Sequence, residues 1–301
     1  MHLSCGDSCG VGSAKKVMEG TGMDQMLEDY GVAIVDFNEG STVSYPQGHT
    51  AKEFFLAKPV QETDALINLC KMKTHALERV TGGVKNLYGC ISGLHKAKGH
   101  TKYTNADIFA RQLIDLNQLI KPRFCVMDGI VAMDGNGPTS GDPVKMKVLL
   151  LGNDPVAIDS VYCHLVHLDP QMVPTNVHGE TMGLGTWREE NIRLLTDGGE
   201  ITMQEAVERF GNPDFNVDRK KQRGNLWNRF NNGFLRYFQK KPYIEEDKCK
   251  KCGICVEACP VEGKALQFKN GRRKPPVYNY HKCIRCFCCQ EMCPHKAIQV
   301  K

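Results

Sequence analysis

Cys249-Lys250-Lys251-Cys252-Gly253-Ile254-Cys255-Val256-Glu257-Ala258-Cys259-Pro260 is answered further on by Cys283-Ile284-Arg285-Cys286-Phe287-Cys288-Cys289-Gln290-Glu291-Met292-Cys293-Pro294. Each run spaces three cysteines by two residues and sets a fourth, followed by proline, three residues beyond. Thiolates in this pattern hold cubane iron–sulfur clusters, and the fourth cysteine of each run serves the other cluster. The short gaps let three sulfurs of one tight loop reach three corners of a cube. The fourth iron then needs a ligand from further away. The spacing predicts one [4Fe–4S] cluster on Cys249, Cys252, Cys255 and Cys293, and a second on Cys283, Cys286, Cys289 and Cys259.

Zinc and disulfides are the competing uses of cysteine. Zinc wants pairs with a second pair at a distance, and a triple closed by Cys-Pro, twice over, is not that pattern. Disulfides need an oxidising compartment, which nothing in the chain suggests. Residues 243–301 resemble the two-cluster bacterial ferredoxins, a small α+β fold that relays single electrons.

Composition sets the frame for the remainder. The chain of 301 residues has room for one sizeable core plus a small module. Its 41% hydrophobic and 24% charged content is that of a globular protein. The net charge of +5 is mild and comes with no nucleic-acid-reading motif, so no nucleic-acid partner is expected. No apolar run reaches membrane-span length, and the first residues do not read as a signal peptide. With 15 cysteines and no secretion signal, the expected setting is a reducing cytoplasm, in keeping with an anaerobe.

Residues 1–210 alternate strand-like and helix-like patterns. Val32–Phe37, Ala65–Cys70, Arg123–Asp128 and Lys145–Leu151 are short apolar runs of the kind that suits strands buried on both faces. Ala106–Ile120 sets Ile108, Phe109, Leu113, Leu116 and Ile120 mostly along one helical face. Asp154-Pro155 opens a second helix, expected to run to about Leu168, with Asp as N-cap and Pro at the first position. The alternation predicts an α/β domain with a mainly parallel or mixed sheet and flanking helices. Residues 211–242 then change character. A charged linker leads to Leu226, Trp227, Phe230, Phe234, Tyr237 and Phe238 at helical spacing, with Arg229, Arg236, Lys240 and Lys241 alongside. This reads as a docking helix for one of the two domains, or as a face that rests on a membrane surface.

Four segments of the first domain resemble the family known as domain of unknown function 362, often joined to a ferredoxin module. They are Ile67–His75 continuing through Thr81-Gly82-Gly83-Val84-Lys85-Asn86-Leu87-Tyr88-Gly89 to Lys98-Gly99-His100; Val126-Met127-Asp128-Gly129-Ile130 with Met133-Asp134-Gly135-Asn136-Gly137-Pro138; Asn153-Asp154-Pro155-Val156-Ala157-Ile158-Asp159; and Met182-Gly183-Leu184-Gly185-Thr186. Family members usually carry more sequence ahead of the segment that stands here as Gly6-Asp7-Ser8-Cys9-Gly10. This chain therefore reads either as a short member or as one without its first strand and helix.

Lys71, Lys73, His75, Lys85, Asn86, His95, Lys98 and His100 crowd together from a predicted strand end onward. Open α/β sheets bind ligands outside the carboxyl ends of their strands, and ammonium, amide and imidazole donors there suit a phosphate or carboxylate. His75 or Lys73 could deliver a proton, with Lys71, Lys85, Asn86 and Asp128 holding the anion. The same cluster also reads as a solvated basic loop. Asp128, Asp134, Asn136 and Asp142 could hold a hard cation, but Asp-Gly-Asn-Gly-Pro is turn chemistry first. Gly6–Gly12 fits neither the P-loop nor the dinucleotide fingerprint, and Cys288 has no ligand role in the paired runs.

Together these features predict an iron–sulfur oxidoreductase that passes electrons from a soluble donor protein to an anionic small molecule on the α/β domain. The alternative is a non-enzymatic electron carrier or adaptor whose α/β domain docks a partner enzyme. A cleft lined by the Lys/His loop would favour the first, and a flat apolar patch the second.

Overall fold

A computed structural model describes residues 2–8, 13–92, 95–103, 105–220, 240–269 and 271–301, without the side chains of Ala97, Lys98, His100 and Thr101. The chain opens with β1 (Ser4–Asp7), α1 (Ala14–Thr21), α2 (Met23–Asp29) and β2 (Ala33–Asp36), and β1 pairs with β2 in parallel. An antiparallel hairpin of β3 (Gly40–Ser44) and β4 (Glu53–Ala57) follows, then α3 (Lys58–Glu62). The centre of the body comprises β5 (Ile67–His75), β6 (Arg79–Thr81), α4 (Gly83–Asn86), α5 (His95–Lys102), α6 (Ala106–Ile120), β7 (Phe124–Asp134), β8 (Asp142–Val144), β9 (Val148–Gly152) and α7 (Pro155–Leu165). Helix α8 (Pro174–Thr181), the hairpin of β10 (Leu194–Thr196) and β11 (Gly199–Ile201), and α9 (Met203–Phe210) complete it.

The sequence led us to expect an α/β domain with a mainly parallel or mixed sheet, and the sheet is mixed. Its five strands run in the order β6-β5-β7-β8, with β9 also on β7. Only β5 and β7 are parallel, Ile67 lying opposite Phe124, and the other pairs are antiparallel. Helix α6 starts where the Asn105 side chain accepts from the Ile108 N–H, and buries Phe109, Leu113 and Leu116, while Ile108 faces out. Helix α7 has the expected Asp154 cap, which accepts from Val156 and Ala157, but it ends at Leu165, short of Leu168. Asp115 on α6 is fully buried, yet its carboxylate accepts from the His49, Thr50 and Ala51 N–H groups at 2.8, 2.7 and 2.7 Å. That fan of donors ties the β3–β4 loop to α6 and meets the desolvation cost of the charge.

One expectation needs correcting. The apolar runs of β5, β7 and β9 are not buried on both faces. Cys70, Met72, Cys125, Met127 and Val148 pack beneath α7, whereas Ile67, Leu69, Phe124, Leu149 and Leu151 are 61, 60, 38, 50 and 60% exposed on the opposite face. Strand side chains alternate, so one side of the sheet is core and the other is a flat apolar surface.

Packing of the body also runs past residue 210. Phe215 and Val217 are buried in the core, Phe215 edge-on to Tyr162 with ring centroids 6.0 Å apart. The Arg79 guanidinium then pins the chain, donating to the Asp218 and Lys220 carbonyls at 2.6 and 2.9 Å. The Asp218 carboxylate pairs with both Arg79 and Lys240. The aromatic and basic stretch expected to dock as a helix, residues 221–239, lies outside the described residues.

The C-terminal unit is small and two-fold repetitive. β12 (Pro242–Ile244) pairs antiparallel with β15 (Ile298–Val300), and β13 (Leu266–Gln267) with β14 (Val277–Tyr278). Helices α10 (Ile254–Glu257) and α11 (Cys288–Glu291) each follow a cysteine loop. The two loops repeat one backbone path: Lys251 and Gly253 have φ of 57° and 89°, and Arg285 and Phe287 have φ of 60° and 61°. Left-handed residues recurring in this way curl backbone N–H groups inward into an anion-holding nest, a habit shared by many iron–sulfur loops.

Candidate iron–sulfur centres and an adjoining lysine site

All cysteines of both runs are free thiols, and they gather in two groups. Burial pushes the Cys255 thiol up to about 12, and the neighbours that add to the push are Cys293, Cys252 and Cys249. Cys283 is pushed up by burial, with Cys286 and Cys259 adding. Burial, then Cys286 and Cys283, raise Cys289, with Cys255 also within range. The fourth cysteine of each run thus lies with the other run's triple. Apolar packing joins the two groups on one side, with Cys255, Cys289 and Cys293 beside Leu266 and Ile298, while Cys259 and Cys283 lie beside Ala265.

This donor set fits [4Fe–4S] clusters. Among the described residues no three His, Cys, Asp or Glu close on a point suited to a single metal ion, whereas a cubane needs its thiolates spread around a larger body. Donors also aim at the sulfurs. The Ala265 N–H donates to Cys259 Sγ at 3.3 Å, and the Tyr278 hydroxyl lies 3.2 Å from Cys289 Sγ. The two groups differ in exposure. Cys249, Cys252 and Cys293 are half-buried, whereas Cys259, Cys283, Cys286 and Cys289 are all buried. Cys288 lies against Cys286, and its thiol adds to the charges felt by Tyr88 of the body.

The inner group faces the α/β body because α11 is docked there. Gln290 is fully buried and its amide donates to the Asn136 and Gly137 carbonyls at 2.9 and 3.0 Å. Thr139 donates to the Glu291 carbonyl, Asn136 to the Ile298 carbonyl, and Lys296 to the Gly141 carbonyl. The Asp-Gly-Asn-Gly-Pro segment is therefore a turn that seats the small domain. Its Asp134 carboxylate is occupied by the Asn216 N–H.

The predicted Lys/His set divides in two. Lys71 and Asp128 pair with each other, half-exposed, and neither is among the charges that act on Lys73. A register shift in the β5–β7 pairing between Lys71 and Lys73 marks the division. Asn86 serves the fold, its amide donating to Asn68 Oδ1 and the Leu69 carbonyl. Lys73 and Lys85 stay together. No hydrogen bond or ion pair joins either ammonium to another described residue. Burial lowers the Lys73 pKa, and so does Lys85, while Asp7 and Glu291 oppose them. Two neighbouring lysines, neither in a direct ion pair with a described residue, thus stand near the helix that carries Cys288, Cys289 and Glu291.

His75 has a different role from the one its sequence suggested. Its side chain is sealed from solvent, and Nδ1 accepts from the Leu77 and Glu78 N–H groups at 3.2 and 3.0 Å. Nε2 must then carry the proton and donate to Glu291 Oε1 at 2.9 Å. A ring tied at both nitrogens and shut off from water positions Glu291, and is poorly placed to shuttle protons. The His95 ring stacks on Phe55 at 3.8 Å, and the Lys98 and His100 side chains lie outside the described residues. Sequence reasoning missed Glu78. It is fully buried with neither carboxyl oxygen hydrogen-bonded, and burial holds its pKa well above the carboxylate range against the pull of Lys85. Two open grooves lie elsewhere on the body, one walled by Leu56, Leu66, Leu119 and Arg123, the other by Tyr45, Gln118 and Leu184.

Comparison with known proteins follows this division. The family model described as domain of unknown function (DUF362) matches residues 2–164, more than half of the chain. The chain belongs to the DUF362 family. A 4Fe-4S dicluster domain matches residues 241–294, so this DUF362 protein carries an iron–sulfur electron-transfer domain. A thylakoid-associated protein, sll1697, of Synechocystis sp. (strain ATCC 27184 / PCC 6803 / Kazusa) is 36% identical over 199 residues, which cover 66% of this chain and 61% of that protein. The chain thus spans about three fifths of that relative's length. The DUF362 match ends within α7, yet the packed body continues through Val217.

Proposed function

We propose that this DUF362 protein is an iron–sulfur oxidoreductase that delivers single electrons to an anionic small molecule held by Lys73 and Lys85. The observation that carries the reading is the pair of neighbouring ammonium groups, neither ion-paired with another described residue, with Lys73 in range of Glu291 on α11. Two [4Fe–4S] clusters would be held by Cys249, Cys252, Cys255 and Cys293 outside, and by Cys283, Cys286, Cys289 and Cys259 inside. They supply electrons one at a time from a soluble protein donor. The half-buried outer thiols suit contact with that donor, and the buried inner thiols suit delivery to the body. Lys73 and Lys85 would bind the anion, and Lys73, with its lowered pKa, would release a proton to a reduced product more readily than an ordinary lysine. His75 would hold Glu291 and so set the distance between helix and site.

Anaerobic reconstitution with iron and sulfide counting, then a stopped-flow screen of carboxylate, phosphate and sulfur oxyanion acceptors against dithionite-reduced protein, tests this. At least one acceptor should reoxidise the wild type faster than the Lys73→Ala/Lys85→Ala variant. Equal rates with every acceptor would end the reading.

The flat apolar face of β5, β7 and β9 favours a second reading, an electron carrier whose α/β domain docks a partner redox enzyme. That reading gains if no small acceptor is found while Leu69→Asp and Leu151→Asp abolish electron delivery in cell extract. We place the protein in the cytoplasm. No helix among the described residues is long and apolar enough to cross a membrane, whereas the relative is named a thylakoid-associated protein. Cell fractionation decides between a cytoplasmic and a membrane-attached protein.

A further inference from the structure

Tyr278 is the one side-chain hydroxyl among the described residues that is hydrogen-bonded to a cysteine of either run. It sits on β14, mostly buried among Cys255, Cys289, Leu266 and Ile298, with its ring stacked on Tyr280 at 5.4 Å and 13°. Its oxygen is 3.2 Å from Cys289 Sγ. A free thiol and a phenol could donate in either direction, but a thiolate bound to iron has no proton to give. The phenol is then the donor. We propose that Tyr278 is a tuning residue of the inner cluster, where its O–H···Sγ bond to Cys289 raises the reduction potential relative to the outer cluster. The inference rests on the two-cluster reading above and adds a role that the cysteine spacing does not contain.

The physical argument is differential. A hydrogen bond to a ligand sulfur draws off electron density and stabilises the state with the extra electron. Exposure acts the other way across the pair. Solvent reaches Cys249, Cys252 and Cys293 and favours the reduced state of the outer cluster, while burial of all four inner cysteines disfavours it inside. Left to burial alone, an electron would rest on the outside. The Tyr278 bond opposes that bias at the inner cluster, on the side where α11 docks against the body and where the proposed function needs the electron. The backbone N–H of Ala265 on Cys259 acts in the same sense, and no side-chain substitution can remove it cleanly. Tyr278 is therefore the separable part.

Tyr278→Phe keeps the ring and its stack on Tyr280 and deletes the hydroxyl alone. Removing one hydrogen bond of about 1 kcal/mol should shift the oxidised-to-reduced ratio of the inner cluster about fivefold at fixed ambient potential, or about 40 mV downward for a one-electron couple. Anaerobic redox titration followed by electron paramagnetic resonance reads this directly. One of the two reduction steps should fall while the other stays. Repeating the titration in Cys249→Ala/Cys252→Ala protein, which retains the inner cluster, should reproduce the fall. In Cys283→Ala/Cys286→Ala protein the remaining step should not move. An inner step that stays put, or equal shifts of both, overturns the role of Tyr278. Wild type that takes up only one cluster's worth of iron and sulfide would overturn the two-cluster reading instead. Tyr278→Trp, which keeps a large donor-bearing ring, guards against misfolding: matching iron content with a potential unlike that of Tyr278→Phe keeps the comparison informative.

Discussion

Replacing Lys73 by Met should make the protein more stable and less useful. The Lys73 stem is packed at the end of β5, but its ammonium makes no direct ion pair with a described residue, and burial, then Lys85, lower its pKa against Asp7 and Glu291. Met preserves the stem and removes the charge. Relief of desolvation and of like-charge repulsion should stabilise the body by about 1–2 kcal/mol, the range expected where a site is held ready at the expense of stability. For a unit of this size each kcal/mol is worth about 2–4 °C in Tm. The pH dependence supplies a second signature. Between its lowered native pKa and the ordinary value of about 10.4, the unfolded chain holds a proton at Lys73 that the native protein has released, so stability rises with pH across that window. The variant lacks that gain. Scanning calorimetry of holo-protein with matched iron content, at neutral pH and near pH 10, should show the variant melting above wild type at neutral pH and the gap closing on the alkaline side. Anion-dependent reoxidation should be lost. A Tm at or below wild type, or a gap that widens with pH, would show that Lys73 is a satisfied structural residue and that no site is held open there.

Asp159 predicts a slope of the opposite sign. Burial pushes its pKa up to about 7 although it accepts from the Gly83 and Val84 N–H groups. The native protein therefore keeps a proton that the unfolded chain gives up near pH 4, and stability should fall by a few kcal/mol between about pH 4 and 8. Asp159→Asn should remove that slope from urea unfolding midpoints, and an unchanged slope would assign it to other groups. His75→Phe should loosen the joint between domains, because it deletes a charge-assisted bond to Glu291 and strands the Leu77 and Glu78 N–H groups, a loss of about 2–4 kcal/mol. Hydrogen exchange in the Gly135–Gly141 turn and in α11 should then quicken more than tenfold while the sheet core is unaffected. Uniform quickening would mean that His75 supports the whole body instead.

The cysteine runs, the Asp154 cap and the strands at Ile67 and Phe124 were legible because each rests on short-range chemistry. Spacing, side-chain capping and local apolar density all survive in one dimension. The one-sided sheet was not legible. In Ile67-Asn68-Leu69-Cys70 both faces carry residues that could be buried, so nothing along the chain reveals which face is left exposed among the described residues. Lys71 and Lys73 have the same alternation parity in an ideal strand, and only a register shift in the pairing with β7 divides them between two environments. Gln290 and Glu291 were hidden inside a ligand motif, between Cys289 and Cys293. Their docking role exists only against Asn136 and His75, far away in the chain.

The Arg79 contact has a consequence for how such chains can vary. Because one guanidinium holds the carbonyls of Asp218 and Lys220, and Asp218 also holds Lys240, the chain leaves the body and rejoins the small domain at the same stitch. The anchor points on either side of residues 221–239 therefore lie at one place. Doubling the length of such a closed excursion costs only about 0.6 kcal/mol of entropy. The seat of the small domain is set by the stitch and by α11. A natural or engineered chain that lengthens, shortens or exchanges residues 221–239 should therefore keep its small domain seated on the body.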